Sequence, residues 1–157
     1  MEFAGITIRP AAPREDDALL RDLAARLTTF GLPRWRTARE IADAEVKAMI
    51  AAVLAADRDS EVFVAERGGV PVGCLHVLVD VDFFGRRHAH ISVVAVAAAA
   101  EGSGVGRALM AHADQWARMR DLSLVTLNVF AENGRARRLY EHVGFEPELV
   151  KYVKLLG

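Results

Sequence analysis

The run His88-Ala-His90-Ile-Ser92-Val-Val94-Ala-Val96, followed after Ala97–Ala100 by Glu101-Gly-Ser-Gly-Val-Gly-Arg107, decides how this chain folds. The first part is β-branched and strand-like, and the second opens a helix-patterned stretch from Ala108 to Arg120. Gly102, Gly104 and Gly106 let the backbone come close to an anion, because no Cβ stands in the way. The first turn of the following helix adds unpaired N–H groups at the positive end of its dipole. A strand, glycine loop and helix in this order form a pyrophosphate cradle. A Walker loop would end Gly-Lys-Ser/Thr, whereas this one ends Gly106-Arg107-Ala108, which argues against a nucleoside triphosphatase. A dinucleotide fold would need Gly-x-Gly-x-x-Gly and an acidic residue roughly 20 positions on. The spacing at 102, 104 and 106 disfavours it.

Working outward, Glu61 to Arg67 and Val70 to Val81 alternate as strands around a Gly68-Gly69 hairpin turn, and Phe83-Phe-Gly85 turns the chain into the central strand. Upstream, Ile6 and Ile8 mark a short strand that Pro10 and Pro13 terminate. Leu19, Leu20, Leu23 and Leu27 then fall at helical spacing, and Gly31-Leu-Pro33 breaks that helix. A second helix is expected from a Thr37 cap, with Glu40 three residues on, to about Ala56. Val105, Leu109, Ala113 and Trp116 share one face of the helix after the glycine loop and are expected in the core. Downstream, Ser123 to Val129, Ala136 to Val143 and Leu149 to Leu156 read as strand, helix and strand. The expected architecture is α/β, a single domain over residues 1–157 with a mixed central sheet flanked by helices, in the order β-α-α-β-β-β-α-β-α-β.

A second motif, Asn133-Gly-Arg-Ala136-Arg-Arg-Leu139-Tyr140-Glu-His-Val-Gly144-Phe145, follows the strand at Ser123. The two motifs together resemble the GCN5-related N-acetyltransferases, element by element over about residues 5 to 156. In that family a Gln/Arg-x-x-Gly-x-Gly/Ala loop binds the pyrophosphate of acetyl-coenzyme A, and an Asn-x-x-Ala-x-x-x-Tyr helix supplies pantetheine contacts and a tyrosine acid. Glu101, Gly104, Gly106, Asn133, Ala136 and Tyr140 stand at those positions. The resemblance implies the single-domain acetyltransferase fold and acetyl-coenzyme A as cosubstrate. It places that cosubstrate on Glu101, Gly102, Ser103, Gly104, Val105, Gly106 and Arg107, on the backbone of Val94, Ala95 and Val96, and on Asn133 and Ala136. Glu101 departs from the Gln or Arg usual there. Since the family uses mainly the backbone of this loop, the Glu101 side chain is expected to turn to solvent.

Acyl transfer from a thioester to an amine needs a neutral nucleophile, a stabilised oxyanion and a proton for the departing thiolate. Tyr140 is the expected acid, with simple packing on an amphipathic helix as the alternative. In many relatives a glutamate on the central strand is the base, and Ser92 matches its position. His90 lies two residues earlier on the same strand face and is the candidate base, with Ser92 ordering a water. Ordinary polar roles at a strand start are the alternative for His88 and His90. Arg107 leads Arg135, Arg137 and Arg138 as a phosphate contact. The resemblance places the acceptor near Phe30 to Arg36 and Asp80 to Phe84, where Trp35, Phe83 and Phe84 are candidates to line an apolar slot and Asp80 or Asp82 to hold a cationic amine. A second function class stays open: an acyl-coenzyme A sensor that lacks a working base.

The chain has 157 residues, 52% hydrophobic and 26% charged, with a formal net charge of -1. A folded soluble domain is expected, without general attraction to nucleic acid or anionic membranes. Its partners are then acetyl-coenzyme A and an amine acceptor, with a homodimer as an option and no metal. The single Cys74 sits in a strand pattern and reads as core filling. No stretch approaches the ~20 apolar residues of a membrane helix, and Met1 to Ile8 lacks the features of a leader, so a cytoplasmic protein is expected.

Overall fold

The computed structural model describes residues 3–157. In chain order it contains β1 (Ile6–Pro10), α1 (Asp17–Arg26), α2 (Ala38–Ala55), β2 (Ser60–Arg67), β3 (Val70–Val81), β4 (Arg87–Val96), a 3₁₀ turn (Ala98–Ala100), α3 (Val105–Arg118), β5 (Val125–Leu127) and α4 (Gly134–His142). The five strands form one mixed sheet in the order β1-β2-β3-β4-β5. Neighbours are antiparallel up to β4, and β5 runs parallel to β4.

Local signals in the sequence become local structure here. Thr37 accepts the Glu40 N–H at 3.1 Å, and the Glu40 carboxylate accepts the Thr37 N–H at 3.2 Å, a reciprocal capping box that fixes where α2 starts. Gly68 and Gly69 both take positive φ, as a tight hairpin turn between β2 and β3 requires.

A bulge in β4 divides the core between the two sheet faces. Ile91 pairs with Val77 and Val93 with His76, so Ser92 is the extra residue. Before it, Ala89 and Ile91 pack with Val105, Leu109, Ala113 and Trp116 of α3. After it, Val93 and Ala95 pack with Leu20 and Leu23 of α1 and Val46 and Met49 of α2. Each fully buried Val, Leu, Ile or Met among them stabilises the fold by roughly 1.5–3 kcal/mol. Gly73 on β3 lets α3 come close, since a Cβ there would lie 2.9 Å from Val105 Cγ1 and 3.0 Å from the Ala95 carbonyl. Cys74 is fully buried in the α1/α2 layer, and burial pushes its thiol up to about 12. Trp116 is buried too, its indole N–H donating to Glu61 at 2.5 Å.

The expected last strand, Leu149–Leu156, is not formed. Residues 149–156 run without ladder partners, and Leu149, Val150, Tyr152 and Leu156 are exposed. Alternation of apolar residues makes a strand only where a sheet edge offers hydrogen bonds. β5 offers little, because it is ordered over Val125–Leu127 rather than the expected Ser123 to Val129. No helix of the described residues is long and apolar enough to cross a membrane.

β1 is tied to α1 through Asp16. Its carboxylate accepts both Arg9 terminal nitrogens, at 2.7 and 3.0 Å, and the Ala12 N–H at 2.6 Å. The Arg9 hydrogen bonds hold the Asp16 carboxyl below its usual range. A depressed folded-state value means that this stabilisation is present above the unfolded carboxyl's pKa of ~3.9 and is lost as pH falls through the folded value. Asp16→Asn is therefore expected to lower unfolding free energy by about 1–3 kcal/mol at pH 7. In urea titrations the gap to wild type should close in acid.

Candidate active site

The glycine loop is built to offer backbone donors. Gly102 has φ +71 and Gly104, the N-cap of α3, has φ +88, values that side-chain-bearing residues adopt at a cost. A Cβ at either would meet nothing within 4 Å, so the protein leaves the space over both glycines open. Among the described residues, the N–H groups of Gly102, Ser103 and Gly104 have no hydrogen-bond acceptor. The Ser103 hydroxyl donates to the Ala100 carbonyl, and Arg67 donates to the Ser103 carbonyl at 2.5 Å, so the carbonyl side of the loop is held while the N–H side is free. At Gly106 a Cβ would come into ordinary contact with Leu139 of α4, at 3.5 Å. Free amides at a helix N-terminus fit the pyrophosphate of a coenzyme A ester.

Glu101 does not turn to solvent. Its carboxylate receives Arg26 of α1 on one oxygen and Arg135 of α4, at 2.9 Å, on the other. Two guanidinium groups against one carboxylate leave this edge of the loop net positive, which answers the repulsion that a lone glutamate would impose on a phosphate. Both guanidinium groups also lie over the Phe30 ring, at 5.9 and 5.3 Å from its centroid. Arg107, the arginine favoured from sequence, is exposed. It lines a cavity of about 240 Å³ with Phe3, Met110, Asp114 and His142. Arg26 escaped the sequence reading because only the fold brings the last turn of α1 to this loop.

Beside the loop the sheet opens. β5 pairs with β4 only from Ala89 to Ile91, so beyond the Ser92 bulge the strand Val94-Ala95-Val96 has no neighbour on that side among the described residues. Arg26 also donates to the Val96 carbonyl at 3.3 Å, which ties the end of the open edge to the glycine loop. The connection between α1 and α2 lies across this region. Gly31, at φ +67, sits so close to the start of α4 that a Cβ would fall 2.5 Å from the Asn133 nitrogen. Asn133 caps α4 by accepting the Ala136 N–H at 3.2 Å, which leaves its amide nitrogen for another partner. Tyr140, one turn beyond Ala136, is half-buried and packs on Phe145 with ring centroids 6.0 Å apart. Burial pushes its phenol up from the usual value, so the proton stays on the oxygen at neutral pH.

A polar group of side chains lies on the sheet face that carries α1 and α2. His90 is half-buried, with Nδ1 2.8 Å from the Thr126 hydroxyl of β5. Burial lowers its pKa, Asp80 raises it and His88 lowers it, for a net fall. His76 on β3 is 3% exposed, with Nε2 3.0 Å from the Ser60 hydroxyl and Nδ1 without a partner among the described residues. Burial, helped by His90, pushes His76 down to about 4, so its ring is neutral. Glu45 of α2 is half-buried, and burial raises its carboxyl above the usual range while Ser92 moderates that rise.

The expected aromatic slot is not formed by Phe83 and Phe84. They are 96% and 85% exposed at the tip between β3 and β4, where they pack edge to face on each other at 5.5 Å. Asp82 shapes that tip by accepting the Phe84 and Arg86 N–H groups at 2.9 and 2.8 Å, while Asp80 acts on His90. Trp35, 38% exposed, stays in the α1–α2 connection.

A sequence profile described as the acetyltransferase (GNAT) family matches residues 20–145. The chain belongs to that family. Its GNAT fold is shared with a GCN5-related N-acetyltransferase from Ralstonia eutropha JMP134, at 19% identity and a TM-score of 0.76 over 98% of this chain and 100% of the other. A protein described as a transcriptional regulator from Bacillus halodurans C-125 is similar at 26% identity and a TM-score of 0.70, over 96% and 99% of the two chains. A mycothiol acetyltransferase from Beutenbergia cavernae is 48% identical over 60 residues, which is 38% of this GNAT chain and 20% of that relative.

Proposed function

We propose that the protein transfers an acetyl group from acetyl-coenzyme A to a primary amine of a small molecule or peptide, by direct attack in a ternary complex. The single observation behind this reading is the open edge of β4 beyond Ser92. It has free loop amides at one end, Tyr140 on the α3/α4 side and the His90–Ser92 pair on the α1/α2 side. When bound, acetyl-coenzyme A supplies an acyl thioester whose carbonyl carbon is the electrophile. The amides of Gly102 to Gly104 hold its pyrophosphate, with Arg26 and Arg135 adding positive charge. The backbone of Val94, Ala95 and Val96, with the Asn133 amide, holds the pantetheine arm. Tyr140 keeps its proton until a thiolate leaves. His90, neutral at pH 7, takes a proton from the amine nitrogen as the new C–N bond forms.

A ternary complex has a kinetic signature: initial rates with both substrates varied should give intersecting double-reciprocal lines. Parallel lines would require an acetylated enzyme and would discard direct attack. The His90 role predicts that activity falls as pH drops through the His90 pKa. Because burial lowers that value, the acidic limb should lie below the ~6.5 of a free imidazole. His90→Gln should remove the limb, and an unchanged profile would take His90 out of the chemistry.

A further inference from the structure

The freedom of φ that suits Gly104 to an open loop also lets its peptide turn over. Glycine takes φ of either sign at little cost, so the φ +88 of Gly104 does not by itself fix how the Ser103–Gly104 peptide lies. A trans peptide carries its C=O and its N–H on opposite sides. In one orientation the Gly104 N–H faces a bound phosphate, and in the other the Ser103 oxygen does, which repels it. The loop's own contacts hold the two residues and leave the peptide between them free. The Ser103 hydroxyl donates to the Ala100 carbonyl, and the Gly104 carbonyl accepts the Ala108 N–H at 3.0 Å. Among the described residues the Ser103 carbonyl receives no backbone N–H. Its donor is Arg67, the last residue of β2, whose terminal Nη2 reaches it at 2.5 Å across 36 positions of sequence. The Arg67 backbone is anchored by pairing with Ile6 of β1 and Val70 of β3, so the half-buried guanidinium is presented from a fixed strand end. Among the described residues it forms no ion pair.

We propose that Arg67 is a positioning residue for the pyrophosphate site: by holding the Ser103 carbonyl it fixes the Ser103–Gly104 peptide with the Gly104 N–H turned to the phosphate. This rests on the acetyl-coenzyme A reading above. A hydrogen bond from a charged donor is stronger than one between neutral groups. It is already made in the free protein, so the amide is oriented before the ligand arrives. Without Arg67 the turned-over peptide becomes populated, and the apparent affinity falls by the fraction of molecules that still present the N–H. A bond of this kind biases the two orientations by about tenfold to a hundredfold. Arg67 acts through the loop backbone and needs no contact with the ligand.

Arg67→Met keeps an unbranched apolar stem and has no donor. Its acetyl-coenzyme A affinity by calorimetry should fall about tenfold to a hundredfold, and inorganic pyrophosphate used as a competitor should weaken by the same factor. With the best acceptor from an amine panel, KM for acetyl-coenzyme A should rise in step while kcat at saturation changes little, since the interaction lost lies at the pyrophosphate and away from the reacting carbon. In the ligand-free protein the amide signal of Gly104 by NMR should shift or broaden, which loss of a merely packing side chain would not cause. Arg67→Gln, whose amide stops short of the position that Arg67 reaches with its last nitrogen, should behave alike and decides the matter if Arg67→Met does not fold. Wild-type affinity in a folded variant would overturn the assignment. So would a loss of affinity with the Gly104 signal unmoved, which would give Arg67 a direct phosphate contact instead. Either result leaves acetyl transfer standing. A wild-type protein that binds neither acetyl-coenzyme A nor pyrophosphate would overturn both.

Discussion

Gly104→Val should abolish acetyl-coenzyme A binding, with at least a hundredfold loss of affinity by calorimetry and no loss of fold. The reasons are separable. At φ +88 a β-branched residue is strained by about 1–3 kcal/mol, a cost that the isolated loop can spread into its neighbours. The added Cβ meets no protein atom within 4 Å, so the core is untouched and melting should change by only a few degrees. The same open space is where a phosphate must come to reach the free amides of Gly102, Ser103 and Gly104. Unchanged affinity in a folded valine variant would move the pyrophosphate elsewhere.

Tyr140→Phe should slow turnover by roughly 10²–10⁴, the cost of a lost general acid, with acetyl-coenzyme A affinity unchanged. The phenylalanine keeps the ring packed on Phe145 and the α3-side core, so a packing role predicts little effect on rate. Because burial raises the phenol's pKa, wild-type activity should hold into the alkaline range above the usual tyrosine value, and the variant should lack the basic limb. Wild-type turnover in the variant, with chemistry rate-limiting, would assign Tyr140 to packing.

What could be read from the sequence was whatever short-range chemistry decides. The Gly102–Gly106 loop, the Thr37–Glu40 cap and the Gly68-Gly69 turn each depend on a few adjacent residues, and the structure forms each of them. Leu149–Leu156 has the pattern of a strand but no edge to join, which the pattern could not reveal. The bulge at Ser92 is equally silent, since it exists only in the pairing of β4 with β3. Arg26 and Glu101 stand 75 positions apart and meet only through the fold. Phe83 and Phe84 failed as acceptor-lining residues because an apolar pair at a hairpin tip has nothing above it to pack against.

Under the proposed function an acetyl group passes to an amine at the open edge of β4. The most direct test follows coenzyme A thiol release from acetyl-coenzyme A across amines, peptides and aminoglycoside-like compounds, with product masses recorded. Amine-dependent release with an acetylated product is expected for at least one member. Acetyl-coenzyme A bound tightly, with no release above background for any acceptor at any pH from 6 to 9, would contradict that function and leave a binding or sensing domain.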